Sequence, residues 1–432
     1  MPRSIELVRP CARQWRSSAL LALLVAGGCV PRETRAPAPA PPPAGGLPAR
    51  EPSVRVGILV DTASVELSGP GGLELLSADG DVLRRVPAGE TITLSSDGVG
   101  RLRIAGTPAP AGATLVTARP ASGETVAIGG KAYRGDAVVR AVGPGRVTAV
   151  NRVDMEEYLL GVVPREIGRV GPERFEAAKA QAVAARTYAV RYLGRRESLG
   201  FDVFATVQDQ VYGGLQDEYD LVSRAVRETA GEILTYEGQP IEAYYHSTCA
   251  GQTAAIEEVW NERPVPYLRS VRDVDPRTGQ AYDHFSSRFQ WTQRWTADGL
   301  ETILARTLAD SVRPGMSGVG DLRNLEVLER TESGRIRRMR ITTSTGEFMV
   351  GGDRIRWIFL TPAGAVLNSS KFDVEVVRGA GGQPVEVVAT GGGWGHGIGM
   401  CQVGAMGRAE AGQDYRTILQ AYYTGARVVD LY

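Results

Sequence analysis

Residues 155–193 read MEEYLLGVVPREIGRVGPERFEAAKAQAVAARTYAVRYL. Asp154 and Glu157 have the spacing of a capping box and predict a helix start. Pro164 predicts the helix end, because the residue before a proline disfavours the α conformation. A second helix is expected from Pro172, which suits a first helical turn, to Leu193, stopped by Gly194. Phe175, Ala178, Ala182, Ala185, Ala189 and Leu193 share one face at helical spacing, and their small size permits close backbone approach. Glu166 is thereby expected on a short connector between two packed helices. Such a glutamate is ordinarily a solvated surface residue. Here Val162, Val163 and Ile167 flank it, and a carboxyl against apolar surface holds its proton to higher pH.

Outward from this centre, the chain reads as a mixture of helix and strand. VRVGILV, GLELLSA, RLRIAG, GATLVTA, ETVAIGG, DAVVRAV and RVTAV are short β-prone runs between Ser53 and Val150, punctuated by turn residues. Ala78-Asp79-Gly80-Asp81 predicts a hairpin turn. A third helix is expected over Tyr219–Thr229, then a hairpin of 232–236 and 241–246. A helix follows at 297–310, strands recur from 325 to 390, and a short helix is expected at Tyr415–Tyr423. The expected fold class is α+β, with a β-rich region at 53–149 joined to a mixed helical and β catalytic domain at 150–432.

Before residue 53 the chain carries a targeting pattern. Arg3, Arg9, Arg13 and Arg16 precede a short apolar run, Ala19–Val25, then Ala26-Gly27-Gly28-Cys29. Residues 1–29 read as a signal peptide ending in a lipobox-like cysteine, so Cys29 is a candidate for lipidation. Plain secretory cleavage, with no role for Cys29, is the other reading. Residues 30–52 form a Pro/Ala-rich linker. Lysine plus arginine equals aspartate plus glutamate at 49 each, which argues against a dedicated nucleic-acid binder. Gly391-Gly392-Gly393 is not followed by the lysine of a phosphate loop.

Beyond the targeting region only Cys249 and Cys401 remain. In an exported domain the simpler reading of the two is a disulfide. A zinc set with His246 and His396, or two free thiols, are the other readings. His396 lies between glycines in GGGWGHGIGMCQVGA, 391–405, and reads equally as a ligand-binding histidine or one bonded inside its loop. Gln402, Arg186 and Tyr188 are candidate cleft residues or internal hydrogen-bonding partners; a buried Arg186 needs a partner, for which Glu166 or a backbone carbonyl would serve. Among Tyr212, Tyr244, Tyr245, Trp260 and Trp394, the last is the best candidate to stack on a sugar ring.

Conventional glycosidases use two carboxylates. Asp209, Glu257 and Glu258 are available partners for Glu166, yet none sits in a distinctive frame. One carboxylate suffices where the substrate supplies its own nucleophile, as the 6-hydroxyl of N-acetylmuramic acid does in peptidoglycan.

The ordered strings MEEYLLGVVPREI, FEAAKAQAVAARTYA, DQVYGG (209–214), AVRETAGEILTYEGQPIEAYYHSTCAGQT (225–253), GHGIGMCQVGAMGRAEAG (395–412) and YRTILQAYYTGARV resemble the SpoIID/LytB domain family over roughly residues 53–432. The resemblance implies a peptidoglycan lytic transglycosylase that leaves 1,6-anhydro-N-acetylmuramic acid ends and needs no cofactor. Glu166 falls on the family's catalytic glutamate. Other family members are amidase enhancers, so a non-catalytic peptidoglycan-binding partner of a cell-wall amidase is the alternative. The zinc cluster that some members carry just before the QVYGG-like motif is not matched, since Thr206–Gln210 contains neither cysteine nor histidine. The implied setting is the cell envelope, with glycan strands as substrate and a membrane held through a lipid anchor.

Overall fold

A computed structural model describes residues 49–110, 113–123, 125–260, 262–312 and 318–432. The expected signal peptide, Cys29 and nearly all of the linker lie outside the described residues. Among those described, no helix is long and apolar enough to cross a membrane.

The N-terminal runs form two sheets. The first orders seven strands as Val203–Phe204, Ser53–Thr62, Arg146–Asp154, Asp136–Gly143, Leu115–Pro120, Leu73–Leu76 and Val82–Val86. The second has six: Lys131–Arg134, Thr125–Ile128, Ser64–Ser68, Thr91–Ser96, Leu102–Ile104 and Thr107–Pro108. Period-two alternation turns Val54 and Val56 of one sheet and Val65 and Leu67 of the other into a shared interior. Gly80 takes the positive φ that the expected 78–81 hairpin turn requires.

Strand Arg146–Asp154 runs directly into helix α1, Met155–Ile167, across residue 150. No capping box forms. Asp154 makes no side-chain cap bond and instead accepts from Ser53 Oγ at 2.8 Å. The first N–H groups of α1 are satisfied from outside, Met155 by the Pro52 carbonyl and Glu156 by the Glu51 carboxylate. The helix also passes through Pro164 and ends at Gly168, with φ 78°, so Glu166 belongs to the last helical turn and not to a connector. An interior proline costs about 3 kcal/mol. Burial of Tyr158, Leu159, Val162 and Val163, all at 0% exposure, offsets that cost.

A single 3₁₀ turn at Pro172–Arg174 leads into α2, Phe175–Tyr192. Fourteen of its eighteen residues are buried, so α2 is a central helix rather than an amphipathic one. The others are α3 (Asp220–Glu228), α4 (Ile256–Val259), α5 (Ala297–Ser311), α6 (Arg354–Ile358), α7 (Gln402–Glu410) and α8 (Tyr415–Tyr422). Alanines on α2 admit α1, α3, α7 and α8 around it.

The expected 232–246 hairpin is shorter than anticipated. Glu232–Tyr236 pairs with Gln239–Pro240 and, on its other side, with the C-terminal strand Arg427–Asp430. Residues 245–246 leave it to pair in parallel with 400–401. A separate apolar cluster from Trp291 to Ala389 gathers α5, α6 and the strands between 291 and 391.

Candidate functional site

Glu166 is half-buried, and Val211 N–H donates to its Oε1 at 2.8 Å. The side chains of Gln402 and Tyr245 also hydrogen-bond to it. Burial raises the carboxyl from 4.5 to about 7 against the opposing pull of these three bonds and of nearby Arg165. The group therefore holds a proton near neutrality.

Its supports come from separated parts of the chain. The 209–214 segment lies close on α1 because Gly161 has no side chain: a Cβ there would sit 2.7 Å from the Tyr212 ring. Gly213 N donates to Gly161 O at 3.1 Å, which sets the neighbouring Val211 N–H toward Glu166. Tyr245 OH accepts from Gln210 Nε2 at 3.0 Å, and Gln210 Oε1 accepts from Tyr158 OH at 3.1 Å. Gln402 opens α7, and its Nε2 donates to Gln181 Oε1 of α2 at 3.3 Å. The loops carrying Tyr245 and Gln402 lie side by side through the pairs Tyr245↔Met400 and His246↔Cys401. Gly399, with φ 71°, makes that approach feasible, since a Cβ would strike the Tyr244 carbonyl oxygen.

The remaining candidates separate. Arg186 is fully buried and forks onto both oxygens of Glu156 at 2.7 Å, with the Glu232 carbonyl taking a third bond. It serves the core and not the cleft, and Glu156 rather than Glu166 is its partner. Tyr188 is buried and donates to Asp209 Oδ1 at 2.9 Å. Asp209 in turn is held by Arg196 at 2.9 Å and by Phe204 N–H, so it anchors the 209–214 segment. Glu257 pairs with Arg269 at 2.6 Å and Glu258 bonds Ser333 Oγ. Each proposed second carboxylate is thus committed elsewhere.

His396 Nδ1 accepts from Ile398 N–H at 3.0 Å, and the ring also bonds the Tyr245 carbonyl. Burial pulls it down to about 4, so it is neutral and occupied within its loop. Trp394 is 44% exposed, with the Arg288 guanidinium 4.6 Å from its ring centre. Tyr212 and Tyr244 are core residues; their hydroxyls bond Asn151 and Tyr192.

Cys249 and Cys401 are buried free thiols, and the expected disulfide is not formed. Cys249 Sγ donates instead to Asp273 Oδ2 at 3.4 Å, and Cys401 Sγ accepts the Gly404 N–H of α7 at 3.3 Å. The backbone pairing of 245–246 with 400–401 ties the two loops in place of a covalent bridge.

Residues 144–236 match the family described as Stage II sporulation protein, SpoIID, and residues 277–399 match a Domain of unknown function (DUF8618). Stage II sporulation protein D of Bacillus amyloliquefaciens is 31% identical over 297 residues, 65% of this chain and 75% of that protein. The chain belongs to the SpoIID family. An uncharacterized protein of Brachyspira hyodysenteriae is 32% identical over 282 residues, covering 65% of this chain and 68% of its own length. The Amidase enhancer of Bacillus subtilis is 33% identical over 298 residues, 62% of this chain but 39% of that longer protein. The SpoIID match holds Glu166, Gln181, Gln210 and Val211, while Tyr245 and Gln402 lie beyond it and reach the site through the fold.

Sequence reasoning singled out Glu166 and Gln402 and named Tyr245 only as an aromatic. It missed Gln181, Gln210 and the Val211 N–H. All three lie in the strings that carry the family resemblance, which was the available signal. A backbone donor leaves no trace in residue identity.

Proposed function

We propose that the protein is a peptidoglycan lytic transglycosylase with Glu166 as its general acid and base. The supporting observation is a single half-buried carboxyl at about 7, held by three hydrogen bonds, with the other candidate carboxylates engaged in ion pairs or hydrogen bonds of their own. In this reading the Glu166 carboxyl donates its proton to the glycosidic oxygen as the bond to the muramic acid C1 breaks. The resulting carboxylate takes the proton of the 6-hydroxyl as that oxygen closes on C1. One proton leaves and one returns, water is not consumed, and an anhydro end results. Gln402, Tyr245 and the Val211 N–H steady the carboxylate between the two transfers. Trp394 supplies a sugar-stacking face. The catalytic unit is 150–432 behind the β sandwich, in the cell envelope, with Cys29 as the lipid anchor.

The name of the Amidase enhancer relative favours a second reading, a non-catalytic peptidoglycan-binding enhancer of a cell-wall amidase. One experiment separates them. Full-length protein is incubated with glycan strands stripped of stem peptides, and the products are read by mass spectrometry. Anhydro ends that vanish in Glu166→Gln support the enzyme. Strand binding with no cleavage overturns it, and reducing ends indicate a hydrolase.

A further inference from the structure

A second cluster of reactive side chains lies directly behind the site. His246 Nε2, Cys249 Sγ and Cys401 Sγ fall within 4.8 Å of one another, all on buried residues. His246 Nδ1 faces the Ile398 carbonyl at 3.2 Å. A carbonyl only accepts, so Nδ1 carries the proton and Nε2 presents a bare lone pair. That Nε2 is buried without a hydrogen-bond partner. Leaving a buried acceptor unmade costs about 1–3 kcal/mol. A disulfide between the two cysteines would leave it unmade, whereas a metal ion would use it.

We propose that His246, Cys249 and Cys401 form a structural site for a thiophilic divalent cation of the zinc class. The donor set is one imidazole and two sulfurs, and a backbone carbonyl on the far ring nitrogen is the usual outer support of a metal-bound histidine. With bonds of about 2.0–2.3 Å, ligand atoms on a tetrahedral zinc stand roughly 3.3–3.8 Å apart. Small side-chain rotations bring the three atoms from within 4.8 Å to that spacing. Binding releases both thiol protons and forms two sulfur–metal bonds and one nitrogen–metal bond. His396, the fourth ligand in the alternative zinc reading, is not in the cluster, and its Nδ1 already accepts the Ile398 N–H.

Both acidic and basic groups surround the thiols. Asp273 Oδ2 lies 3.4 Å from Cys249 Sγ, and Asp283 Oδ2 lies 3.8 Å from Cys401 Sγ. Arg408 offsets Asp273 at 2.9 Å, and Asp283 accepts three backbone N–H groups from 249–251. Arg335 and Lys371 are the other cations near Cys249. Cys401 caps α7, its Sγ accepting the Gly404 N–H. Two of the ligands adjoin a Glu166 support: Tyr245 precedes His246, and Gln402 follows Cys401. The ion would hold those two side chains in register.

The test uses full-length protein purified from the envelope fraction of its host, without reductant or metal-affinity resin. Elemental analysis should find about one zinc per chain, with both thiols titratable once a chelator and denaturant are added. Replacing zinc with Co²⁺ should give a thiolate-to-cobalt charge-transfer band and the visible spectrum of a tetrahedral site. Cys401→Ser should lose the ion, and His246→Ala should weaken zinc binding tenfold or more. Metal-free protein with no titratable thiol would show a disulfide and overturn the proposal. So would reduced protein that takes up neither Zn²⁺ nor Co²⁺, or a Cys401→Ser variant that keeps its zinc. The wild-type metal content and cobalt spectrum decide the matter even where a variant fails to fold.

Discussion

Glu166→Gln should abolish glycan cleavage and yet stabilise the fold above neutral pH. Burial moves the carboxyl from 4.5 to about 7. At about 1.36 kcal/mol for each pH unit, that displacement costs the folded state about 3 kcal/mol once the group is ionised. The unfolded chain releases this proton near 4.5 and the folded chain only near 7, so between those values the folded state binds more protons. Wild-type stability therefore falls as pH rises from 4.5 to 7, and the loss is complete above 7. Glutamine has no proton to lose. At pH 4 it replaces a neutral carboxyl of almost the same shape and should differ by no more than about 1 kcal/mol, the worth of one altered hydrogen bond. By pH 8 the variant should have gained about 3 kcal/mol on the wild type. Urea unfolding followed by far-ultraviolet circular dichroism at pH 4, 6 and 8 reads this difference, because α1, α2, α3, α7 and α8 all pack in the core that holds Glu166. Wild-type and variant stabilities that run parallel from pH 4 to 8 would refute a raised carboxyl. Stabilisation with retained cleavage would refute its role as the acid.

In the transglycosylase reading, kcat/KM for denuded strands should fall about tenfold per pH unit above 7, because the acid must begin protonated. Tyr245→Phe removes a bond that favours the carboxylate, so it should move this limb to higher pH while slowing cleavage; an unmoved limb in the pH–rate profile would dissociate Tyr245 from Glu166. Arg186→Met leaves Glu156 without its buried partner and should lower stability by about 3 kcal/mol or more, read as a lower urea midpoint. Trp394→Ala, at an exposed ring, should leave that midpoint unchanged and weaken strand binding in pull-down assays by roughly tenfold at most; unaltered binding would remove Trp394 from the cleft.

Local chemistry explains what was legible. The strands from 53 to 150, the hairpin at Gly80 and helices α2, α3, α5 and α8 follow from period, turn residues and glycine stops, which act over a few neighbours. Pro164 misled because burial across the whole of α1 outweighs one missing N–H. The Asp154 box failed because Ser53 and Glu51, more than a hundred residues away in sequence, took over its bonds.

By itself the sequence determined the mixed α+β class and brought Glu166 forward as the carboxyl to test. Its apolar neighbours, Val162, Val163 and Ile167, are local and already implied a raised carboxyl. Only the tertiary structure decided which groups hold that carboxyl, because Val211 N–H, Tyr245 and Gln402 come from three separate segments whose meeting depends on Gly161 and Gly399. It likewise gave Arg186 to Glu156 and set His246 beside two free thiols. Burial and hydrogen-bond pairing are properties of atoms brought together across the chain, and spacing along the chain does not contain them.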